Sequence, residues 1–366
     1  MIPPKTFRSS TGNIPLPVFF PDATRAVLRS LDTRDIEDTK TTGILVNTFH
    51  LYKELGMDFL KKMKNIRSFM DWKGGLISDS GGFQVGSLIK SNSKLGKITD
   101  EGAIFRMDGK RILLTPELSI QIQMELGVDM VVVLDDFDAP DATEKENEKT
   151  VKRTIEWAKR GRQEFERLCK IKKISQSKKP YLLGVVQGGR YKDLRKYCID
   201  ELVKIGFDGL GYGGEEKIKG NINYDLSKFV ADNTPENYLL YALGVGKPED
   251  IVAMTKIGYD IFDCVLPTRD ARHGRMYVYN ADSIDEIDLS KKDFYSFFNP
   301  KRAKNLSKFE PVSRACDCLT CTRYTKSYLS HLFKIGDFTA GRLATIHNLR
   351  FYSILMEKLG SMLDKQ

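Results

Sequence analysis

Short apolar runs recur along the chain, and each is followed by polar or glycine-rich residues and then by a stretch with helical character. The two central runs, MVVVLDD and YLLGVVQGG, begin with nearly unbroken apolar residues, which is typical of strands covered on both faces. We predict eight strands: Pro17–Phe20, Ile44–Asn47, Leu76–Asp79, Met130–Asp135, Tyr181–Gln187, Phe207–Gly211, Tyr238–Gly244 and Tyr259–Val265. Eight strands that alternate with helices predict an α/β fold, a (β/α)8 TIM barrel. A doubly wound sheet is the alternative, because a pattern does not reveal whether the sheet closes.

Helix signals lie between the predicted strands. Thr115 is a candidate N-cap, Pro116 suits the first helical turn, and Glu117 complements the helix dipole. Residues 144–172 predict one long charged helix, and Pro248 opens another. This alternation of strand and helix is the order that a barrel requires.

Polar residues and glycines mark the carboxyl ends of five predicted strands. The stretch ISDSGGFQVGSL, residues 77–88, has Asp79 directly after a strand and two adjacent glycines beside it. The other ends carry Asp135 with Asp136, Gln187 with Gly188 and Gly189, Gly213 with Gly214 and Glu215, and Asp263. The carboxyl ends of barrel strands meet at one mouth, where active sites are built. A single acid at such an end is commonly a helix cap, whereas five polar ends predict a site.

The composition limits the classes of protein to which the chain can belong. With 366 residues, of which 41% are hydrophobic, it can bury a large core. The net charge of +9 suits an anionic partner such as a nucleic acid, although a solvated lysine-rich surface gives the same excess. No apolar run approaches the ~18 residues of a membrane span, and the start MIPPKTFRSS lacks the apolar core of a signal peptide. We therefore expect a cytoplasmic protein with reduced cysteines and no membrane contact.

Three of the six cysteines form a cluster, Cys316, Cys318 and Cys321. In a reducing compartment, clustered thiols indicate a metal site and not disulfides. His347, with 25 residues between it and Cys321, completes a Cys3His set, and His331 is a rival fourth ligand on spacing alone. Such a set suits tetrahedral Zn²⁺, and four protein ligands with no open position predict a structural role.

The segment 276–314 departs from the strand and helix pattern. Its second half, residues 291–314, holds seven Lys and Arg against two acids, interleaved with five aromatic residues. Cations and rings in this mixture suit contacts with a nucleic acid, and a solvated insertion with a small core of its own is the alternative. We predict a catalytic barrel over residues 1–275. Residues 276–366 would form an insertion, a zinc-binding subdomain and closing C-terminal helices.

Several motifs, in this order, resemble the tRNA-guanine transglycosylases: DSGGFQ, VVQGG, YALGVGKP, FDCVLPTR and C-x-C-x2-C…H. The N-terminal TGNIPLPVFFPDATRAVL and NTFHLY are also similar to that family, so that the resemblance covers roughly residues 10–360. It implies a TIM barrel with a zinc-binding subdomain near the C-terminus. It also implies an enzyme that exchanges guanine at the wobble position of G-U-N anticodons, those of the Asp, Asn, His and Tyr tRNAs, for a 7-deazaguanine base.

The resemblance assigns roles to individual residues. Asp263 in FDCVLPTR would be the nucleophile that attacks C1′ of the ribose and forms a covalent intermediate, and Asp79 would be the general acid and base. The base-binding residues would be Phe83, which stacks on the base, Asp135, Gln187, Gly209, Leu210, Gly211, Gly213, Gly214 and Leu243, with Glu215 supporting the turn. Glycines beside Asp79 would let the backbone approach that flat base. Arg269, Arg272 and Arg275 would bind tRNA, or else form ordinary surface charge.

Two departures from the family pattern bear on the incoming base. The glycine turn reads GLGYGGE where bacterial members typically have GGLAVGE, so that Gly213 replaces a valine and would enlarge the pocket. The acidic stretch reads LDDFDAP, which is closer to the eukaryotic pattern. Both favour queuine over its smaller aminomethyl precursor. The resemblance also implies a homodimer and free 7-deazaguanine as the second substrate.

Three other functions remain open at this stage. A TIM-barrel carbohydrate hydrolase would also use paired carboxylates, but the basic composition and the zinc cluster do not favour it. A zinc-stabilised tRNA-binding partner subunit without catalytic activity would not need both Asp79 and Asp263. Exchange in the D-arm of tRNA is less favoured, because the chain has no C-terminal RNA-binding extension.

Overall fold

The computed structural model describes residues 6–363, apart from residues 108–109, 215–216 and 219–220. The strands are β1 (Thr6–Ser9), β2 (Gly12–Pro15), β3 (Val18–Pro21), β4 (Gly43–Val46), β5 (Gly75–Ser78), β6 (Gly96–Ile98), β7 (Ala103–Met107), β8 (Lys110–Leu114), β9 (Met130–Val132), β10 (Tyr181–Val186), β11 (Gly209–Tyr212), β12 (Lys217–Ile218), β13 (Asn221–Ile222), β14 (Leu239–Ala242), β15 (Ile261–Cys264), β16 (Met276–Tyr279) and β17 (Tyr295–Phe298).

The helices follow the same chain order. They are α1 (Thr33–Asp38), α2 (Thr48–Lys62), α3 (Ile66–Met70), α4 (Gly82–Ser91), α5 (Pro116–Leu126), α6 (Glu144–Ile171), α7 (Lys192–Ile205), α8 (Tyr224–Asp232), α9 (Pro248–Ile257), α10 (Leu266–Arg272), α11 (Leu319–Arg323), α12 (Lys326–Ile335) and α13 (Phe338–Leu363). Short 3-10 turns cover Ser93–Leu95, Gln176–Lys178 and Ala303–Ser307.

Eight parallel strands form the central sheet, in the order β3-β15-β14-β11-β10-β9-β5-β4. A parallel bridge between Asp22 and Leu45 joins the two outer strands, so that the ring is nearly closed. All eight predicted strands are confirmed, with ends that differ by a few residues, and so is the barrel. The doubly wound alternative is wrong, because the last barrel strand β15 pairs with the first barrel strand β3, and the Asp22–Leu45 bridge links β3 onward to β4.

The barrel has two separate apolar cores. Alternate strand residues point inward and form the inner core, which includes Phe20, Leu45, Ile77 and Tyr241. The β1–β2 hairpin contributes Phe7, Ile14 and Leu16 to the same core and closes the end of the barrel at which the strands begin. The remaining strand residues pack outward against the helices. The strands therefore carry apolar residues on both faces, which is why they read as continuous runs in the sequence.

The predicted helix signals are confirmed. Thr115 caps α5 through its side chain, which accepts from the N–H of Leu118 at 3.0 Å, and Pro116 is the first residue of that helix. The long charged helix is α6, which opens with a capping box between Thr143 and Glu146. Among the described residues, no helix is long and apolar enough to cross a membrane.

The C-terminal part of the chain packs directly on the barrel. Helix α13 contacts β3, α9 and α10 of the barrel as well as α11, α12 and β16. It therefore covers the wall near the closing seam and also carries the C-terminal subdomain. A division of the chain after residue 275 stays a prediction.

Candidate active site

Polar side chains occupy the last inward-facing level of the barrel at its carboxyl-end mouth. Phe20, Leu45, Ile77, Val185 and Ile261 form the apolar level below. Because inward positions recur every second residue, the next level includes the polar residues Asp22, Asn47, Asp79, Gln187 and Asp263. We call these five residues the mouth layer. The change from an apolar to a polar level occurs where parallel strands end, which is where barrel enzymes place their chemistry.

The carboxylate of Asp79 is held by donors from the start of α2. The N–H of Thr48 donates to Oδ1 at 2.9 Å, and the side-chain amide of Asn47 donates to Oδ2. The N–H of Gly81 adds a further bond to Oδ1 at 3.2 Å. Burial raises the pKa of Asp79 to about 7 despite these donors, and the negative charge of Asp263 adds to the rise. Asp79 can therefore both donate and accept a proton near neutrality.

Asp263 lies within β15, in a position fixed by the strands on both sides. It is opposite Phe20 in the β15–β3 ladder, and its Oδ1 accepts from the N–H of Gly244 at 2.8 Å. Burial raises its pKa to about 6, while the Gly244 N–H and the buried Tyr241 hydroxyl beside it oppose that rise. At pH 7 Asp263 is therefore mostly ionised, as a nucleophile must be.

The structure thus brings Asp79 and Asp263 to the same mouth, close enough for the charge of one to shift the pKa of the other. They come from the third and eighth barrel strands, almost 200 residues apart in the chain. Two carboxyls with pKa values above their ordinary range, at the open end of a barrel, are the pattern of an acid–base and nucleophile pair.

Gln187 and Asp135 form a polar pair next to these carboxyls. The amide Nε2 of Gln187 donates to Oδ2 of Asp135 at 2.7 Å. The Gln187 side chain is buried, and its carbonyl oxygen lies against Gly214. The amide can donate and accept, while the carboxylate only accepts, so that the pair can read the edge of a base.

The glycine turn is more ordered than the sequence predicts. Residues 209–212 form β11, whose backbone pairs with both β10 and β14, and Leu210 packs outward against the helices. Gly211 is covered by Leu243, whose Cδ1 would be 2.9 Å from a Cβ at that position. Gly213 is buried and Gly214 is exposed at the end of this turn, while Glu215 lies outside the described residues. The base-binding roles of Gly209, Leu210 and Gly211 stay predictions.

The pocket enlargement predicted from Gly213 is not what the structure contains. A Cβ at this position would meet Nε2 of Gln187 and Cγ1 of Val185, each at 2.6 Å. Glycine therefore makes room for Gln187, and the freed space is filled by protein. The absence of a side chain is visible in the sequence, but the neighbour that fills the space is not.

The glycines beside Asp79 also pack against protein. Gly81 has a φ of +78°, and a Cβ there would come within 3.2 Å of the Phe49 backbone. A Cβ at Gly82 would be 2.7 Å from Cδ1 of Leu134. These glycines allow the loop that carries Asp79 to lie tightly against α2 and the end of β9, which differs from the predicted approach to a base.

Phe83 stands at the rim of the mouth with its side chain 66% exposed. It stacks on Phe137, with ring centroids 5.3 Å apart and planes inclined by 26°. Phe137 belongs to the LDDFDAP stretch that also supplies Asp135. An exposed ring beside buried carboxyls is suited to stacking on a planar ligand.

A buried arginine that the sequence analysis missed holds the glycine turns in place. Arg195 of α7 is fully buried, and its Nε donates to the carbonyl oxygen of Gly189 at 2.7 Å. Its Nη1 donates to the carbonyl of Gly213 and its Nη2 to that of Gly214, both at 3.1 Å. One guanidinium thereby ties the turn after β10 to the turn after β11. In the sequence, KDLRKYC resembles any amphipathic helix.

Other missed residues support the carboxyls of Asp79 and Asp263. Asn47 and Thr48 lie in the NTFHLY motif, and Tyr241 lies in YALGVGKP, but the sequence assigned no role to them. Extending the period-2 pattern of each strand by one inward position would have found Asn47 and Asp22.

The three predicted arginines lie past Asp263, on α10 and just after it. Arg269 and Arg275 are exposed, and Arg275 places its guanidinium 3.8 Å from the ring centroid of Phe297. Arg272 is partly buried, and its Nη1 has no hydrogen-bond partner in the described part of the chain. Burial and the neighbouring Arg29 and Arg269 lower the pKa of Arg272. Arg269 lies 3.9 Å and Arg275 3.8 Å from the Asp270 carboxylate, which neutralises part of this positive charge. The excess of cations over this one acid suits an anion.

The predicted metal ligands are brought together. One ligand atom from each of Cys316, Cys318, Cys321 and His347 lies within 4.8 Å of all the others, and all four residues are buried. Nε2 of His347 is 2.7 Å from the carbonyl oxygen of Tyr277, which makes Nε2 the protonated nitrogen and leaves Nδ1 facing the thiols. The donor set fits a metal ion that favours sulfur and imidazole. The rival His331 is exposed on α12, outside this cluster.

Most aromatic residues of the 291–314 segment form a core. Strands β16 and β17 make an antiparallel hairpin, and Tyr295 packs with Tyr277 against Phe351 of α13. Phe294 and Phe298 are buried, whereas Phe297 and Phe309 remain exposed. The alternative of a small core therefore accounts for most of these rings, and a nucleic-acid contact stays a prediction for the exposed ones.

Comparison with known proteins identifies a family for this site. A family model described as Queuine tRNA-ribosyltransferase matches residues 5–365. A queuine tRNA-ribosyltransferase of Aliivibrio salmonicida is 38% identical over 359 residues, which cover 97% of this chain and 88% of that protein. Proteins of the same name from Pasteurella multocida and Acinetobacter baumannii are each 37% identical, over 97% of this chain and 86% and 88% of their own lengths. The chain belongs to the queuine tRNA-ribosyltransferase family.

Proposed function

We propose that this protein is a tRNA-guanine transglycosylase that exchanges guanine at the wobble position of G-U-N anticodons for a 7-deazaguanine base. Membership of the family supports an enzyme that acts on tRNA and a free base. The observation that carries the mechanism is the pair Asp79 and Asp263 at one barrel mouth, with pKa values raised to about 7 and about 6.

In the first half of the reaction, a carboxylate oxygen of Asp263 attacks C1′ of the ribose. The bond from C1′ to the guanine nitrogen breaks, its electron pair leaves with the base, and Asp79 supplies the proton that neutralises the departing guanine. The ribose is left esterified to Asp263. The Gly244 N–H, bonded to Oδ1 at 2.8 Å, fixes the carboxylate so that its other oxygen is the one that reacts.

The second half reverses these steps with a different base. Asp79, now ionised, removes the proton from the ring nitrogen of the incoming 7-deazaguanine. That nitrogen attacks C1′, and the Asp263 carboxylate leaves with the electron pair of the ester bond. A group with a pKa of about 7 is suited to act first as acid and then as base at neutral pH.

Recognition of the base is assigned to the residues around this pair. Asp135 and Gln187 would bond to its edge, Phe83 would stack on its face, and the backbone of Gly214 would reach its carbonyl side. Both guanine and 7-deazaguanine offer that edge. The Gly213 carbonyl accepts from Arg195 and its N–H donates to the Val186 carbonyl, so that Gly213 would act by shaping the turn. We favour queuine over the aminomethyl precursor, now on the LDDFDAP stretch alone, since Gln187 fills the space beside Gly213.

The remaining partners follow from the surface and from the C-terminal subdomain. Arg29, Arg269 and Arg272 would bind phosphate groups of the tRNA near the reacting nucleotide. A zinc ion held by the three cysteines and His347 would cross-link the loop 316–321 to α13 and stabilise the subdomain. We also propose a homodimer that works in the cytoplasm.

Mass analysis of tRNA tests the exchange. A G-U-N tRNA is incubated with the enzyme and either queuine or the aminomethyl base. The tRNA is then digested, and its nucleosides are identified by mass spectrometry. The proposal expects loss of guanosine at the wobble position and gain of the corresponding deaza-nucleoside, faster with queuine. Modification in the D-arm, or release of sugar from oligosaccharides without tRNA modification, would contradict it. A faster reaction of the aminomethyl base would overturn the queuine preference alone.

A further inference from the structure

A third carboxyl group, that of Asp22, belongs to the mouth layer and has no role in the reaction described above. It follows β3 directly, and the β3–β15 ladder sets Phe20 opposite Asp263 and Pro21 opposite Cys264. On its other side, Asp22 forms the parallel bridge to Leu45 of β4. Asp22 is thus fixed at the closing seam of the barrel, on the inward row next to that of Asp263.

The Asp22 carboxyl opens onto the mouth, since the residue is only partly buried. Burial and the charges of Asp263 and Asp79 raise its pKa well above the ordinary value of 3.8. Among the described residues, no hydrogen bond or ion pair engages the Asp22 side chain, and its oxygens are not enclosed by protein. A carboxyl that faces the mouth beside a reactive carboxylate is available to a polar group of the substrate.

The chemistry of an RNA chain identifies that partner. Asp263 must approach C1′ of the reacting ribose, so that the adjacent Asp22 faces the same sugar. In a polynucleotide the 3′ and 5′ oxygens are esterified, and the phosphates that they carry are repelled by a carboxylate. The 2′-hydroxyl, on the carbon next to C1′, is the hydrogen-bond donor that the sugar retains. Either protonation state of Asp22 keeps an oxygen that can accept this bond.

Resting on the function proposed above, we propose that Asp22 accepts a hydrogen bond from the 2′-hydroxyl of the reacting nucleotide and makes the mouth selective for ribose over deoxyribose. Asp22 is a specificity-determining residue and neither acid nor nucleophile. A site built to bond a substrate hydroxyl discriminates against the analogue that lacks it, because its own polar group is then left unpaired.

Exchange of labelled guanine into two tRNAs tests this inference. One tRNA carries guanosine at the reacting position and the other 2′-deoxyguanosine, and kcat/KM is measured with the wild-type protein, Asp22→Ala and Asp22→Asn. We expect the wild type to prefer the ribonucleotide, and Asp22→Ala to reduce that preference by about tenfold or more, through loss on the ribonucleotide alone. Asp22→Asn keeps an acceptor oxygen and should retain most of the preference.

A control variant and the wild-type rates distinguish failure of the Asp22 role from failure of the exchange reaction. Asp38→Ala removes an exposed carboxyl on α1 and serves as the matched control, for which the preference should not change. An equal preference in the wild type and Asp22→Ala, or equal losses on both tRNAs, would overturn the role of Asp22 while leaving the exchange reaction intact. A wild-type protein that exchanges no guanine into either tRNA would overturn the proposed function and the inference together.

Discussion

The guanidinium of Arg195 donates from Nη1 to the carbonyl oxygen of Gly213 at 3.1 Å, although the arginine is fully buried within the barrel wall. The same side chain bonds to the carbonyls of Gly189 and Gly214. These bonds hold the two turns on either side of Gln187. The position of the predicted base-recognising amide therefore depends on a cation that does not face the mouth itself.

Arg195→Lys should loosen both turns. A lysine offers a single ammonium in place of the planar fork and does not reach all of these carbonyls at once. We expect the free energy of unfolding to fall by about 2–4 kcal/mol and the KM for the free base to rise at least about tenfold. Lys196→Arg, one residue along the same helix at an exposed ion pair with Asp200, is the control and should change neither quantity. Unaltered stability and KM in Arg195→Lys would contradict this role.

Asn47→Asp should move the alkaline limb of the pH–rate profile upward. The substitution keeps the oxygen that caps α2 through the N–H of His50, but it replaces the donor to Asp79 by a second carboxyl. The pKa of Asp79, about 7 in the wild type, should rise by roughly one pH unit or more, since its ionised form loses a donor and meets a like charge.

The protonated form of Asp79 would then persist to higher pH, and exchange should decline later on the alkaline side. Rates measured from pH 5 to pH 10 check this shift. Asn65→Asp changes the corresponding cap of α3, away from the mouth, and should leave the profile as it is. An Asn47→Asp profile identical to that of the wild type would count against the proton-handling role of Asp79.

Asp263→Asn should stabilise the fold while abolishing exchange. The pKa of Asp263 is about 6 in the folded protein against an ordinary value of 3.8, so that keeping it ionised above pH 6 costs about 3 kcal/mol of folding free energy. Because the folded value is the higher one, this cost is absent below pH 3.8, grows as the pH rises to about 6 and is constant above that. Denaturant unfolding at pH 4.5 and pH 8 should reveal a larger gain at pH 8.

The corresponding substitution of an exposed carboxyl, Asp38→Asn, should change stability little at either pH. A loss of stability in Asp263→Asn at pH 8 would mean that the carboxylate is held at no cost. The placement of an unfavourable charge at the mouth is what a catalytic site, and not a structural one, requires.

The Cys3His cluster should bind one zinc ion per chain. Elemental analysis of the purified protein is expected to find it, and Cys321→Ser or His347→Ala should remove most of it and lower the melting temperature. His331→Ala is the control, because that histidine is exposed on a neighbouring helix and should leave the metal content unchanged. Full zinc content in His347→Ala would contradict the assigned ligand set.

The strands and the position of Asp79 and Asp263 at strand ends were predictable because their signals are local. A barrel strand is covered on both faces and therefore appears as an unbroken apolar run, and the acids that end β5 and lie in β15 belong to motifs of adjacent residues. Closure of the barrel was not predictable in the same way. It depends on pairing between β3 and β15, which are far apart in the sequence, and on the bridge from Asp22 to Leu45. No local motif marks either contact.

Burial was the second property that the sequence did not reveal. Arg195 lies among charged residues of an amphipathic helix, and only the fold directs it to glycine carbonyls. The sequence predicted an open space beside Gly213, but the Gln187 side chain fills that space in the structure. The aromatic residues after position 290 suited stacking on bases, yet Phe294 and Phe298 are buried and Tyr295 packs on Phe351, which follows more than 50 residues later.

Intact-mass analysis tests whether Asp263 forms a covalent intermediate with the ribose. The protein is mixed with a G-U-N tRNA without added base, and the reaction is quenched in acid. After treatment with ribonuclease, the mass of the intact protein is measured. We predict a protein carrying a nucleotide adduct, located by peptide mapping on Asp263, and no adduct in Asp263→Asn, which should still bind the tRNA. An adduct on another residue, or exchange of labelled guanine by Asp263→Asn at the wild-type rate, would contradict the account.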